Sequence, residues 1–280
     1  MSKDQRGQQQ ELTTRQAVPY LLNQPGGTLS GQALGFAHRG AGEDENTLTA
    51  FARAAGQGFA YLETDVRMSS DGVLYALHDA TMERVSDGSG AVAELSSAQL
   101  DAMTINGSAG DHPARFEALL QALPHARWNV DLKSAGSASE LVRLAAKHGA
   151  LDRVLVASFA ASHRKQAMAL SARLVGSAGP GLVAASVLLG PLALPLLRAA
   201  RRRGIVAMQV PVKQGWVRVV RAAWLRRIHA AGLQAHVWVV DDPARMRELL
   251  DLGVDGLMTD NAPALSAVFA QRGEWPQTQG

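Results

Sequence analysis

The chain contains no cysteine. That removes disulfides, thiolate zinc sites and cysteine nucleophiles together, and it suits a reducing compartment. Aromatic residues are few, 5% of 280 positions, and they are scattered. A nucleic-acid surface would need an arginine stripe with stacking rings, so no nucleic-acid partner is expected. Neither sign of charge prevails: 28 Lys and Arg face 25 Asp and Glu, for a formal charge of +3. This mild bias is compatible with an anionic substrate or a membrane surface. Met1 to Gln24 is polar and rich in Gln, without the apolar centre of a secretory signal. Residues 1–30 are expected to form a flexible lead-in, and the protein is expected to be cytoplasmic.

What is present is enough apolar sequence for a large core, 47% of residues. Strand-like runs alternate with helical patterns. Leu34–Ala37, Tyr61–Val66, Arg127–Asp131 and Val154–Ser158 read as four strands. A run opening at Val175, then Ala207–Pro211, Ala235–Val240 and Gly256–Thr259, supply four more. Between them, Asn46–Gly56 places Leu48, Phe51, Ala52 and Ala55 on one helical face. Val217–Ala231 is expected as a helix capped by Gly232. Asp71-Gly72 marks a hairpin, and residues 79–115 depart from the rhythm. Eight strand–helix units predict an α/β fold, a (β/α)8 TIM barrel. Its span is 31–270, with 67–113 inserted between the second strand and its helix, and 271–280 as a C-terminal tail. No glycine-rich dinucleotide fingerprint follows the first strand, which argues against a Rossmann fold.

In such a barrel, reacting groups sit at the C-terminal ends of strands. His38 and Arg39 end the first strand. Glu63 and Asp65 are two apart on the second, so they share a face. Asp131 and Lys133 repeat that spacing on the third, and Trp238 ends the seventh. Three carboxylates converging on the mouth would be costly unpaired. An all-oxygen set suits Mg2+ or Ca2+ better than zinc. The bland alternative is a carboxylate network bonded to Arg and Lys. His38 and His78 flank the carboxylate pair and can serve as acid and base near neutral pH. Arg39 and Lys133 would hold phosphate oxygens. His236 shares a strand face with Trp238 and is expected to be packed and hydrogen-bonded.

The ordered motifs His38-Arg39-Gly40, Glu45-Asn46-Thr47, Glu63-Thr64-Asp65-Val66, Asp71-Gly72, His78-Asp79, Asp131-Leu132-Lys133, Trp238 and Gly253-Val254-Asp255-Gly256 resemble the glycerophosphodiester phosphodiesterase family. The match covers roughly residues 33–265. The resemblance implies a TIM barrel, a divalent metal, and hydrolysis of glycerophosphodiesters to glycerol 3-phosphate and an alcohol. It implies His38 and His78 as the acid–base pair, and Glu63, Asp65 and Asp131 as metal ligands. Arg39, Lys133 and Trp238 would be substrate contacts, with Glu45 as a further metal ligand or hydrogen-bonding neighbour. Attack by water and attack by the substrate's own 2-hydroxyl both stay open. Four positions depart from the family pattern. Asp131 replaces the usual Glu, Asp44 replaces a proline, and Val239 and Asp241 stand where the strand-seven motif carries Thr and Asn. A catalytically silent binding protein would have lost a histidine or a carboxylate, and neither is lost.

Leu174 to Leu197 carries no charge and is followed by Arg198, Arg201, Arg202 and Arg203. Pro180, Pro191 and Pro195 argue against a membrane span. A peripheral membrane contact through 180–203 would shift the substrate toward lysophospholipids, making the enzyme a lysophospholipase D.

Overall fold

The computed structural model describes residues 18–278. Eight parallel strands close into a barrel in the order β1 (Leu34–His38), β2 (Tyr61–Met68), β4 (Arg127–Leu132), β5 (Val154–Ala157), β6 (Val175–Ser177), β7 (Ile205–Val210), β10 (Gln234–Val237) and β11 (Gly256–Thr259). Closure is made by β1, which pairs with both β2 and β11. The TIM-barrel expectation holds. A short β3 (Leu74–Ala76) pairs antiparallel with the end of β2 across the Asp71-Gly72 turn.

The barrel has two apolar layers, set by the period-2 alternation of its strands. Leu62, Val130, Val156 and Leu257 face outward against the helices, while Phe36, Tyr61, Leu155 and Met258 fill the interior. The inserted residues have a core of their own, where Tyr75, Leu77, Met82, Val85, Leu100 and Ile105 pack together. This keeps the insertion rigid and lets it present His78 to the barrel mouth.

The lead-in expected over 1–30 needs correction in its described part; residues 1–17 lie outside the described residues. Val18, Tyr20, Leu21 and Leu29 are buried in the barrel-interior cluster. Tyr61 donates its hydroxyl to the Tyr20 carbonyl at 2.7 Å and accepts from Leu22 N at 2.8 Å. Residues 18–29 thus plug the N-terminal end of the barrel. The tail over 271–280 is also tied down as far as it is described. Gln277 Oε1 accepts from Gly35 N at 2.8 Å, and its Nε2 donates to the Ala33 carbonyl at 2.6 Å. Trp275 packs edge-on against Phe59. Buried strand-end amides need partners, and these terminal segments supply them.

The helix expected over Val217–Ala231 is shorter. It begins at Ala222 and runs to Ala230. Lys213–Gln214 (β8) and Val217–Arg218 (β9) instead form a small antiparallel hairpin turning at Gly215-Trp216. The uncharged run 174–197 is divided among β6, a helix Pro180–Leu188, a 3-10 turn and the start of a helix Leu194–Arg202. Among the described residues, no helix is long and apolar enough to cross a membrane.

His236 is fully buried in the barrel interior. Its ring lies 4.8 Å from Phe36, and its Nε2 is 3.0 Å from Gln234 Oε1. Burial pushes its pKa down to about 4, with Asp255 opposing. The unfolded chain binds this proton near 6.5 and the folded one near 4. Between those values the unfolded state holds more protons, so stability rises with pH there. The contribution is complete above the unfolded value and is lost as pH falls toward 4. The unfolding free energy is expected to drop by about 2–3 kcal/mol through this group between pH 7 and 4. Urea titrations of His236→Gln should lose that part of the slope; equal slopes in both proteins would refute the assignment.

Candidate active site

The C-terminal mouth of the barrel opens into a cleft of about 640 Å³. His38, Arg39, Glu63, Asp65, His78, Asp131, Lys133 and Trp238 all line it, so these sequence-selected residues share one surface. Glu45 is the exception: it lies beside the cleft and is held by two arginines. Arg84 reaches its Oε1 at 2.6 Å, and Arg39 Nη1 lies 3.4 Å from Oε2.

The loop after β1 carries backbone strain. Arg39, Ala41 and Asn46 adopt positive φ of 50°, 53° and 61°. Such conformations persist only where surroundings over-determine them. Here Arg39 N donates to the Glu63 carbonyl at 3.0 Å, Asn46 N to the Arg39 carbonyl at 2.9 Å, and Thr64 Oγ1 to Asn46 Oδ1 at 2.8 Å. Gly40, at φ 85°, has no room for a side chain, since a Cβ would sit 2.6 Å from that of Ala50. Thr47 then caps the helix Leu48–Gly56 by accepting from Ala50 N. Asp44 forms a two-pronged pair with Arg53 at 2.6 and 2.8 Å, which anchors the loop without the family's proline.

Both histidines are oriented by carboxylates. His38 Nδ1 lies 2.6 Å from Asp260 Oδ1, and His78 Nδ1 lies 2.7 Å from Asp79 Oδ1. A carboxylate only accepts, so each Nδ1 carries the proton and each Nε2 is left available to a substrate. Burial pulls the His38 pKa down, but Glu63 and Asp260 outweigh it and the net shift is upward. Arg84 and His78 hold the Asp79 carboxyl well below the usual range, so this orienting group stays charged.

Three carboxylates face two cations. Lys133 Nζ bridges Asp65 Oδ1 at 3.0 Å and Asp131 Oδ2 at 2.7 Å. Arg39 Nε lies 3.1 Å from Asp65 Oδ2, yet neither atom is aligned for a hydrogen bond. Asp131 Oδ1 is buried and also unpartnered. Burial and the neighbouring Asp65 push the Glu63 pKa up to about 8. Among the described residues no three His, Asp or Glu side chains close to ion-binding spacing, because Lys133 sits between the two aspartates. The donor chemistry nonetheless fits a hard divalent cation: oxygens only, two of them buried and orphaned, beside a carboxylate strained by desolvation.

Sequence reasoning missed Asp260, Asn129, Gln209, Phe159 and Arg84. Asp260 follows β11, and the strand-end rule applied to the eighth strand would have found it. Asn129 is two residues before Asp131 on the same face of β4; its Oδ1 accepts from Gln209 Nε2 at 3.1 Å across the barrel. Arg84 comes from the insertion and Phe159 from the loop after β5, with no local signal for either.

The mouth of this TIM barrel gathers three carboxylates, two basic side chains and two histidines held by carboxylates, a set compatible with a phosphoric diester hydrolase. The glycerophosphoryl diester phosphodiesterase family model matches residues 38–264, and the chain belongs to that family. A probable glycerophosphodiester phosphodiesterase 2 of Mycobacterium tuberculosis is 39% identical over 249 residues, covering 88% of this chain and 94% of that protein. A glycerophosphodiester phosphodiesterase of Agrobacterium tumefaciens superposes with TM-score 0.70 at 26% identity, over 84% of this chain and 99% of that one. An Oleispira antarctica phosphodiesterase, solved with the product sn-glycerol-3-phosphate, shares the fold at TM-score 0.69 and 19% identity, over 86% of this chain and 98% of that one. The enzyme is a glycerophosphodiester phosphodiesterase.

Proposed function

We propose that the enzyme releases glycerol 3-phosphate and an alcohol from glycerophosphodiesters by metal-assisted acid–base catalysis with His38 and His78. The observation that carries this reading is the pair of histidines in one cleft, each with Nδ1 on a carboxylate, with Nε2 of His38 3.6 Å from Glu63 and making no hydrogen bond. One removes the proton from the attacking group, either water or the substrate's 2-hydroxyl, whose cyclic phosphate water then opens, and the other supplies a proton to the leaving alkoxide. Arg39 and Lys133 bind the phosphoryl oxygens and oppose their growing charge. Glu63, Asp65 and Asp131 would hold Mg2+ or Ca2+, which supplies Lewis acidity to the phosphoryl group. Trp238 lines the cleft beside them and would contact the substrate. The product bound by the Oleispira protein supports glycerol phosphate as the common product.

A second reading, lysophospholipase D activity, draws on the cleft's apolar wall. Val183, Val187, Leu188 and Val217 line the same cleft, giving an acyl chain a place to lie. Assays of glycerophosphocholine and lysophosphatidylcholine with Mg2+, Ca2+ or chelator address both readings. Glycerol phosphate is expected from the former only with added metal, with activity at least about 100-fold lower in chelator. Turnover indifferent to chelator would remove the metal from the mechanism. Preference for the lysolipid would move the enzyme to the second reading.

A further inference from the structure

Residues 153–240 contain no Asp or Glu at all, against thirteen Arg and Lys. The whole chain carries only +3, so the two halves of the barrel are strongly opposed in charge. This cationic half, β5 to β10, also carries most of the exposed apolar residues. Leu188, Leu189, Leu192 and Leu196 are exposed between Pro180 and Arg202, with Leu188 and Leu192 at 80% and 81%. Trp216, at the tip of the β8–β9 hairpin, is fully exposed, and Val217 beside it is exposed.

These two segments flank one opening. Val183 and Leu188 of the helix and Gln214 and Val217 of the hairpin line the active-site cleft. They are also linked through the fold. Trp224 Nε1 donates to Ser186 Oγ at 2.9 Å, joining the helix after the hairpin to Pro180–Leu188, and Val219 N donates to the Val212 carbonyl at 3.1 Å to close the hairpin base. Within the hairpin, Lys213 and Arg218 stand directly opposite each other. Like charges facing across a two-stranded ladder are unfavourable, and both side chains are exposed. Two opposed cations below a bare indole match an interfacial anchor, with the ring at headgroup depth and the cations on anionic groups.

We propose that the hairpin Lys213–Arg218 and the leucine lip 188–196 together form a docking surface for an anionic lipid bilayer, placing the cleft mouth against the membrane. The lip expected from 180–203 is only half of this surface; the hairpin completes it. The surface does not depend on the proposed chemistry, because neither Trp216 nor Leu192 lines the cleft.

The test is sedimentation of the full-length protein with vesicles of phosphatidylcholine alone or with roughly 30 mol% phosphatidylglycerol. Binding is expected only to the anionic vesicles and should weaken steeply as salt rises from about 0.1 to 1 M. A Trp216→Ser, Leu192→Ser variant should lose at least about 10-fold in vesicle affinity. Lys213→Gln with Arg218→Gln should weaken binding and flatten its salt dependence. All variants should hydrolyse soluble glycerophosphocholine at the parental rate, which separates this proposal from the catalytic one. Failure to sediment with anionic vesicles would overturn it, as would undiminished binding by the variants. Salt-sensitive binding to RNA without binding to vesicles would assign the cationic half to another polyanion and would also overturn it.

Discussion

His38→Ala is expected to lower kcat for glycerophosphocholine about 10³-fold, within the range for loss of a positioned acid or base. His38 lies at the end of β1, where the strained loop and the Glu63 carboxylate fix its approach, and its Nε2 stands 3.6 Å from Glu63 Oε2. The side chain contributes little to the apolar core, so thermal unfolding should stay within a few degrees of the parent. His78→Ala should behave alike, because its ring is more exposed and is held chiefly by Asp79. Asp260→Asn gives the intermediate case. It keeps a partner for His38 Nδ1 but removes the charge that favours the imidazolium, and a loss of about 10- to 100-fold in kcat is expected with KM little changed. Asp260 acts through His38, so this variant's pH–rate profile should shift relative to the parent, a change that mere loosening of the loop would not produce. Near-normal turnover in His38→Ala or His78→Ala would remove that histidine from the chemistry.

Lys133→Met should have the largest effect on the folded protein. Burial alone would pull the Lys133 pKa down, but Asp65 and Asp131 reverse this and keep it charged. Without the ammonium, two buried aspartates face each other with no directly bridging cation, although Arg39 and Arg67 remain nearby. Removing one partner of a buried ion pair costs about 3–5 kcal/mol. For a chain of this size that amounts to a fall of roughly 6–15 °C in Tm measured in chelator. Added Mg2+ or Ca2+ is expected to recover part of the loss, because an ion bound by the native state stabilises it by mass action. Turnover should fall at least about 100-fold even with metal, since the phosphate loses a positive partner. Calorimetry with and without chelator checks this: an identical Tm loss in both would show that no ion shares these carboxylates.

The eight-strand order and the shared inward face of Glu63 and Asp65 were legible in the sequence. Each depends on short-range alternation, which a linear reading sees directly. The start of the first helix was not legible: expected from Asn46, it is capped by Thr47 and begins at Leu48. The hairpin at 213–218 was missed because its apolar residues continue the helical spacing of the segment after it. What stops the helix is the pairing of Lys213 with Arg218 and the two bonds that return to Val212. Residues 18–29 read as a lead-in because Pro19, Pro25 and Gly26-Gly27 interrupt any strand or helix period, although five of the twelve side chains are apolar. Their order comes from the open barrel end that those side chains cover.

The sequence by itself determined the fold class, the two inward carboxylates of β2, and the candidate histidines, because strand periodicity and strand-end position are local properties. Tertiary structure alone decided which carboxylate orients His38. Asp260 reaches His38 only because β11 closes against β1, and Asp241 holds that junction by accepting from Thr259 Oγ1 and Asp260 N, both at 2.8 Å. It also decided that Lys133 sits between Asp65 and Asp131, since β2 and β4 pair in a register that sets those aspartates side by side. Barrel closure and strand register are long-range pairings, and charges facing one another across them have no spacing in the chain that would reveal them.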